Sequence, residues 1–265
     1  MARATWMVHL GVPWTQLYLG DFDRAQREFN KAIAMFAHNG NPYGADTLTL
    51  YRCWVQFHAM DFDAMLQSCA QVLPGKSPEP GSGKSILPAE YRLCLLLTGL
   101  AQLGLGDTRA ARDALTQVMQ RMDALPVIFD WYWRLPLEWG LAGAALADGD
   151  LDAAITHADR LVKLATSIEE RTWQGFAWEM RARVACEQDD ATHALHCVQH
   201  ALDATRGYQT PLANWRIHRT AARACELAGD TQTADYHAAL SKTMKDALAA
   251  KLPSGHRLRE TFEAG

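Results

Sequence analysis

Apolar residues along this chain recur with the three-to-four-residue spacing of helices, and no segment keeps the period-two alternation of a half-buried strand. Short corners interrupt the pattern at Gly20-Asp21, Met60-Asp61, Gly106-Asp107, Gly149-Asp150, Asp189-Asp190 and Gly229-Asp230. Their second aspartates stand 40, 46, 43, 40 and 40 residues apart. Each corner closes one apolar segment and opens another. A glycine ends a helix by taking a positive φ without a Cβ clash. The aspartate after it caps the next helix by accepting a backbone N–H on its carboxylate. Four residues further comes a small side chain, Ala25, Ala111, Ala154, Ala194 or Ala234, with Met65 the departure, and this lets two helices of a hairpin approach closely.

The pattern predicts an all-α chain of twelve helices in six antiparallel pairs forming one repeat domain over 1–265. First helices are expected over 4–19, 43–59, 88–104, 130–147, 171–187 and 211–228. Second helices are expected over 22–37, 62–73, 108–123, 151–167, 191–206 and 231–250. Pro13 and Pro136 are expected to kink or restart their helices. A short terminal helix over 254–263 is expected to cap the stack. The stretch 74–88, PGKSPEPGSGKSILP, reads as an exposed loop between the second and third pairs.

Composition narrows the functional classes. Apolar residues make up 49% and charged residues 21%, values of an ordinary globular chain, and the formal net charge is −4. A slightly acidic chain lacks the basic surplus that phosphate-backbone binding demands, so no nucleic-acid partner is expected. The longest mostly apolar run, 93–105, is too short to span a bilayer, and the start of the chain lacks the pattern of a secretory signal. A cytoplasmic protein is expected, without a membrane partner. The six cysteines each sit inside an apolar helical pattern, with no C-x-x-C among them, and read as buried core thiols.

The stretch Gly20-Asp21-Phe22-Asp23-Arg24-Ala25, followed by Phe29 and Ala32-Ile33, resembles the second half of a tetratricopeptide (TPR) repeat. Later corners match less fully, since Ser241 stands where the family prefers alanine, and the period exceeds the usual 34 residues. The whole is similar to the TPR-like regions at the C-terminal ends of large bacterial signalling proteins, which carry an ATPase, adenylate-cyclase or DNA-binding module upstream. Gly40-Asn41-Pro42-Tyr43-Gly44, the segment from Pro211 to His218, and Leu252-Pro253 with Leu258 to Phe262 resemble corresponding pieces of those regions. The resemblance implies a right-handed α-solenoid whose first helices line a concave face. It implies a role in signalling or transcriptional regulation through a bound partner.

In that register the groove positions are Met7, Leu10, Trp14, Leu17 and Tyr18 in pair one, and Thr47, Leu50, Trp54, Phe57 and His58 in pair two. Pair three contributes Leu93, Leu96, Leu100 and Leu103, pair four Trp139, Gly143 and Leu146, pair five Phe176, Glu179 and Arg183, and pair six Arg216, Arg219 and Arg223. The face so assigned is aromatic and apolar toward the N-terminus and arginine-rich toward the C-terminus. Arg216, Arg219 and Arg223 also share a face by helical spacing alone. Arginines bind carboxylate or phosphate bidentately, and an apolar groove takes an amphipathic segment. The expected partner is a protein or peptide segment with an apolar body and an acidic end, or a small effector. The candidate residues are Trp14, Tyr18, Trp54, Phe57, Leu96, Leu100, Trp139, Arg183, Arg216, Arg219 and Arg223. The competing reading makes the apolar positions core and the arginines a solvated face.

Other motifs carry less. Gly81-Ser82-Gly83-Lys84-Ser85 lacks the earlier glycine of a phosphate loop, having Pro78 there, and Pro88 separates it from the next helix. His193, His196 and His200 lie along one predicted helix, but no acid or third ligand is fixed beside them, and they read as surface or partly packed side chains. No G-x-S-x-G or H-E-x-x-H motif occurs, so no catalytic residue, metal or cofactor is assigned. The rival class is an enzyme or small-molecule binder with an aromatic pocket near Trp131, Trp139 and Trp173.

Overall fold

The computed structural model describes residues 5–73 and 88–265, among which only helices, turns and short links occur. The phosphate-loop-like stretch therefore lies outside the described residues. A 3₁₀ turn over Thr5–His9 precedes α1 (Gly11–Tyr18), so the first predicted helix is split near Pro13, which falls in the opening turn of α1. There follow α2 (Phe22–His38), α3 (Pro42–His58), α4 (Phe62–Val72), α5 (Pro88–Gly104), α6 (Thr108–Ala124) and α7 (Asp130–Ala147). The chain continues with α8 (Leu151–Thr166), α9 (Arg171–Glu187), α10 (Ala191–Thr205), α11 (Pro211–Leu227), α12 (Thr231–Ala249) and α13 (Arg257–Ala264). Every other predicted helix is present to within a few residues. Pro136 does not end α7, which runs through it.

The corners form as their residues dictate. Gly20, Gly106, Gly149 and Gly229 take positive φ, and Met60 and Asp189 adopt the same conformation without glycine's freedom. The N–H of each following aspartate bonds the carbonyl five residues back, as in Asp21 to Gln16 and Asp190 to Ala185. All six aspartates then cap the next helix, from Asp21 accepting Arg24 N–H at 3.0 Å to Asp230 accepting Thr233 N–H at 3.1 Å. Ala25, Met65, Ala111, Ala154, Ala194 and Ala234 are buried beneath the corners.

Helices pack on their chain neighbours from α1 to α6 and from α8 to α11, and α3 on α5 and α9 on α11 pack as alternate members, the arrangement of an all-α solenoid. The chain divides into two compact units, Met1–Asp130 with Ala249–Gly265, and Trp131–Leu248. In the first unit, Arg92 and Asp130 form a buried ion pair, and Asp130 also accepts the Val127 N–H at 2.8 Å. The first unit also corrects one expectation. The terminal helix α13 lies on the corners of the first two pairs. Phe262 meets Phe22 edge to face at 5.6 Å, and both rings are fully buried. Arg257 donates two bonds of 2.8 Å to buried Asp61, Thr261 Oγ1 donates to Ala59 O at 3.0 Å, and Lys251 Nζ donates to Leu19 O at 2.8 Å. Phe22 and Asp61 each need cover, one for its ring and one for its charge, and α13 supplies both.

Candidate functional site

The sequence-assigned groove falls into two chemically different sets, one in each unit. In the first unit Leu96, Leu100, Trp54 and Phe57 are buried, as are Leu17, Leu50, Thr47, His58 and Leu93. Trp54 and Phe57 stack edge to face at 5.5 Å. These residues are packed interior and present no open wall. Trp14 and Tyr18 are half-buried, with rings 5.5 Å apart, and Trp14 also meets Tyr51 at 5.7 Å. Met7 is exposed.

In the second unit Trp139 is half-buried on α7. Trp173 is buried, its indole N–H donating to Tyr132 Oη at 3.2 Å, while Trp131 points outward at 59% exposure. These tryptophans differ in setting, from solvent-facing to interior. His200 lies flat on Trp178 at 4.4 Å, and His193 Nε2 approaches Cys197 Sγ at 3.6 Å. No group of three metal-ligating side chains occurs among the described residues. The six cysteines are buried and form no disulfide.

The arginines make the more informative constellation. α9 and α11 pack together, and they bring Arg216 and Arg219 into the field of Glu179 and of Arg183, which itself acts on Glu187. Pro211 at the first position of α11 and the Glu170 carboxylate, which caps α9 through the Thr172 and Trp173 N–H groups, fix where the two helices start. Trp215 is the platform. Its ring lies 4.8 Å from the Arg216 guanidinium, 5.0 Å from that of Arg219 and 5.8 Å from Lys245 Nζ. Arg216 also lies 5.3 Å from the Phe176 ring. Such contacts hold a cation by the ring quadrupole.

Arg216 is only 8% exposed, and burial pulls its guanidinium down to about 10, opposed by Glu179 and reinforced by Arg219 and Arg183. Arg219 is lowered for the same first reason. Glu179 is 1% exposed. Its Oε1 accepts the Thr220 hydroxyl at 2.7 Å, and its Oε2 has no hydrogen-bond partner among the described residues. Arg183, Arg216 and Arg219 form no ion pair or hydrogen bond among the described residues. Arg223 differs, for it bonds Glu187 at 2.7 Å across the same two helices, which raises its own affinity for the proton. The predicted stripe is thus divided. Arg223 is hydrogen-bonded to a carboxylate within the protein, whereas Arg183, Arg216 and Arg219 feel Glu179 or Glu187 only through space, with no carboxylate bonded to them among the described residues.

Sequence reasoning named the arginines and Glu179 but missed Trp215. Its signal was present, since Trp215 and Arg219 are four apart on one helix. No family model matches this chain, and no curated protein matches it.

Proposed function

We propose that this chain is a TPR-like recognition module without catalytic activity, which holds an acidic partner on the arginine face of α9 and α11. The observation that carries the reading is the set of three guanidiniums on α9 and α11 with no hydrogen-bonded carboxylate among the described residues, Arg216 and Arg219 lying in the field of buried Glu179. Taking a cation out of water costs several kcal/mol unless a partner repays it. Cation–π contacts of roughly 1–2 kcal/mol offset only part of that cost. A surface built this way is poised for an external anion. The preferred partner is a protein segment with an apolar body and an acidic end, and a small acidic effector is the alternative. The resemblance of the corners to TPR repeats supports a right-handed superhelix of six pairs. It also supports a place in a bacterial signalling or transcriptional regulatory protein of the cytoplasm, where binding biases the modules attached to it. No helix among the described residues is long and apolar enough to cross a membrane.

The test is a displayed random-peptide library selected on the wild-type protein and screened again on Arg216→Gln/Arg219→Gln. The reading predicts peptides with acidic residues beside apolar ones, whose affinity falls at least tenfold in the double variant, or about 1.4 kcal/mol. Selected peptides indifferent to both substitutions would contradict it.

A further inference from the structure

The chemistry of the arginine face is more specific than a preference for acids. Four guanidiniums on α9 and α11, those of Arg183, Arg216, Arg219 and Arg223, face two carboxylates, Glu179 and Glu187, so two positive charges stay uncompensated at the face. A lone carboxylate ligand would cancel one of them, whereas a dianion cancels both. The face also carries an acceptor in need. Glu179 Oε1 is satisfied by Thr220, but the buried Oε2 receives no donor among the described residues. A buried acceptor left unpaired costs roughly 1–3 kcal/mol. The best-matched ligand therefore brings two negative charges together with a hydroxyl donor.

We propose that Arg183, Arg216, Arg219 and Glu179 form a binding site for a phosphate dianion that carries a hydroxyl group. Hydrogen phosphate has both features in one ion, and the phosphate ester of a polyol has them in adjacent groups. Arg216, buried and clasped between Phe176 and Trp215, is the anchor. Arg219 and Arg183 supply further donors. Glu179 accepts the ligand hydroxyl and so disfavours an anion that has no proton to give. Sulfate, equal in charge and shape but without a hydroxyl, is the natural discriminator. The proposal rests on the arginine-face reading and gives that face a ligand class.

Isothermal titration of the full chain with inorganic phosphate and with sulfate, at matched ionic strength and pH 7.5, tests it. Phosphate is expected to bind at least tenfold more tightly than sulfate. Arg216→Gln is expected to weaken phosphate at least tenfold. Arg219→Gln is expected to weaken it several-fold, and circular dichroism of each variant checks that the helices are intact. Glu179→Gln is expected to bring sulfate to within threefold of phosphate. Glycerol 2-phosphate, run beside inorganic phosphate, tells whether the ester or the free ion binds more tightly, and tight binding of either supports the site. An absence of binding by both inorganic phosphate and glycerol 2-phosphate, affinity for the bound one unchanged in both arginine variants, or sulfate binding as tightly as the bound one would overturn the proposal. If selected acidic peptides still bind through Arg216 and Arg219 while phosphate does not, this inference fails and the recognition reading stands.

Discussion

Asp189 shows how much of this chain is decided by single residues. It holds a φ of 56° at a corner where four of the other five use glycine. A residue with a Cβ pays roughly 1 kcal/mol there, somewhat less for aspartate. Asp189→Gly is therefore expected to raise stability by about 0.5 kcal/mol, after the extra freedom glycine brings to the unfolded chain is deducted. Chemical denaturation monitored by circular dichroism checks it, and a loss of stability would contradict the corner argument. The aspartate caps were legible because the physics is local, with acceptor and donor three residues apart. The Arg223–Glu187 pair spans 36 residues, so nothing in the local pattern separates Arg223 from Arg216 and Arg219. The burial of Leu96 and Leu100 was ambiguous for a related reason. A leucine on a helix face reads alike whether it faces core or groove, and only the neighbouring helices decide.

At the scale of elements, the helix contacts have two consequences. Gly44 opens α3 directly against the Phe36 ring, and an added Cβ would collide with that ring. Gly44→Ala is expected to cost about 1–3 kcal/mol by forcing α2 and α3 apart, measured as a lower denaturation midpoint with an unchanged slope. α11 and α12 meet through His218 and His237, whose Nδ1 atoms lie 2.8 Å apart. That contact needs one ring to donate and the other to accept, so both cannot be protonated there. Burial lowers the proton affinity of each, and for His218 the neighbouring His237 lowers it further. With folded values below the ordinary 6.5, the unfolded chain binds more protons as pH falls through that value. Stability is thus fully present above about pH 6.5 and is lost as pH falls from there toward the folded values. His218→Gln is expected to flatten this limb of the stability profile. An unchanged limb would show that the pair does not titrate with unfolding.

On the scale of the whole molecule, the repeat architecture was readable in the sequence, but the position of α13 was not. Its anchors, Phe22–Phe262 and Asp61–Arg257, join residues 240 and 196 positions apart, and no periodicity encodes such a pairing. Phe262→Ala is expected to cost about 3–5 kcal/mol, since it opens a cavity against a fully buried ring. Differential scanning calorimetry checks this, and a change below 1 kcal/mol would mean that α13 contributes little to the first unit. The candidate site was half legible. Residue type and spacing marked the arginines and could have marked Trp215 on the same helix, while the unpaired Glu179 Oε2 and the Phe176–Arg216 contact emerge only once α9 and α11 are packed. The central claim is that recognition belongs to this arginine face, and hydrogen–deuterium exchange of the wild-type chain with and without a display-selected acidic peptide tests it most directly. The account predicts added protection in α9 and α11, absent in Arg216→Gln/Arg219→Gln. Protection confined to α1 and α3, where Trp14, Tyr18, Trp54 and Phe57 reside, would contradict it.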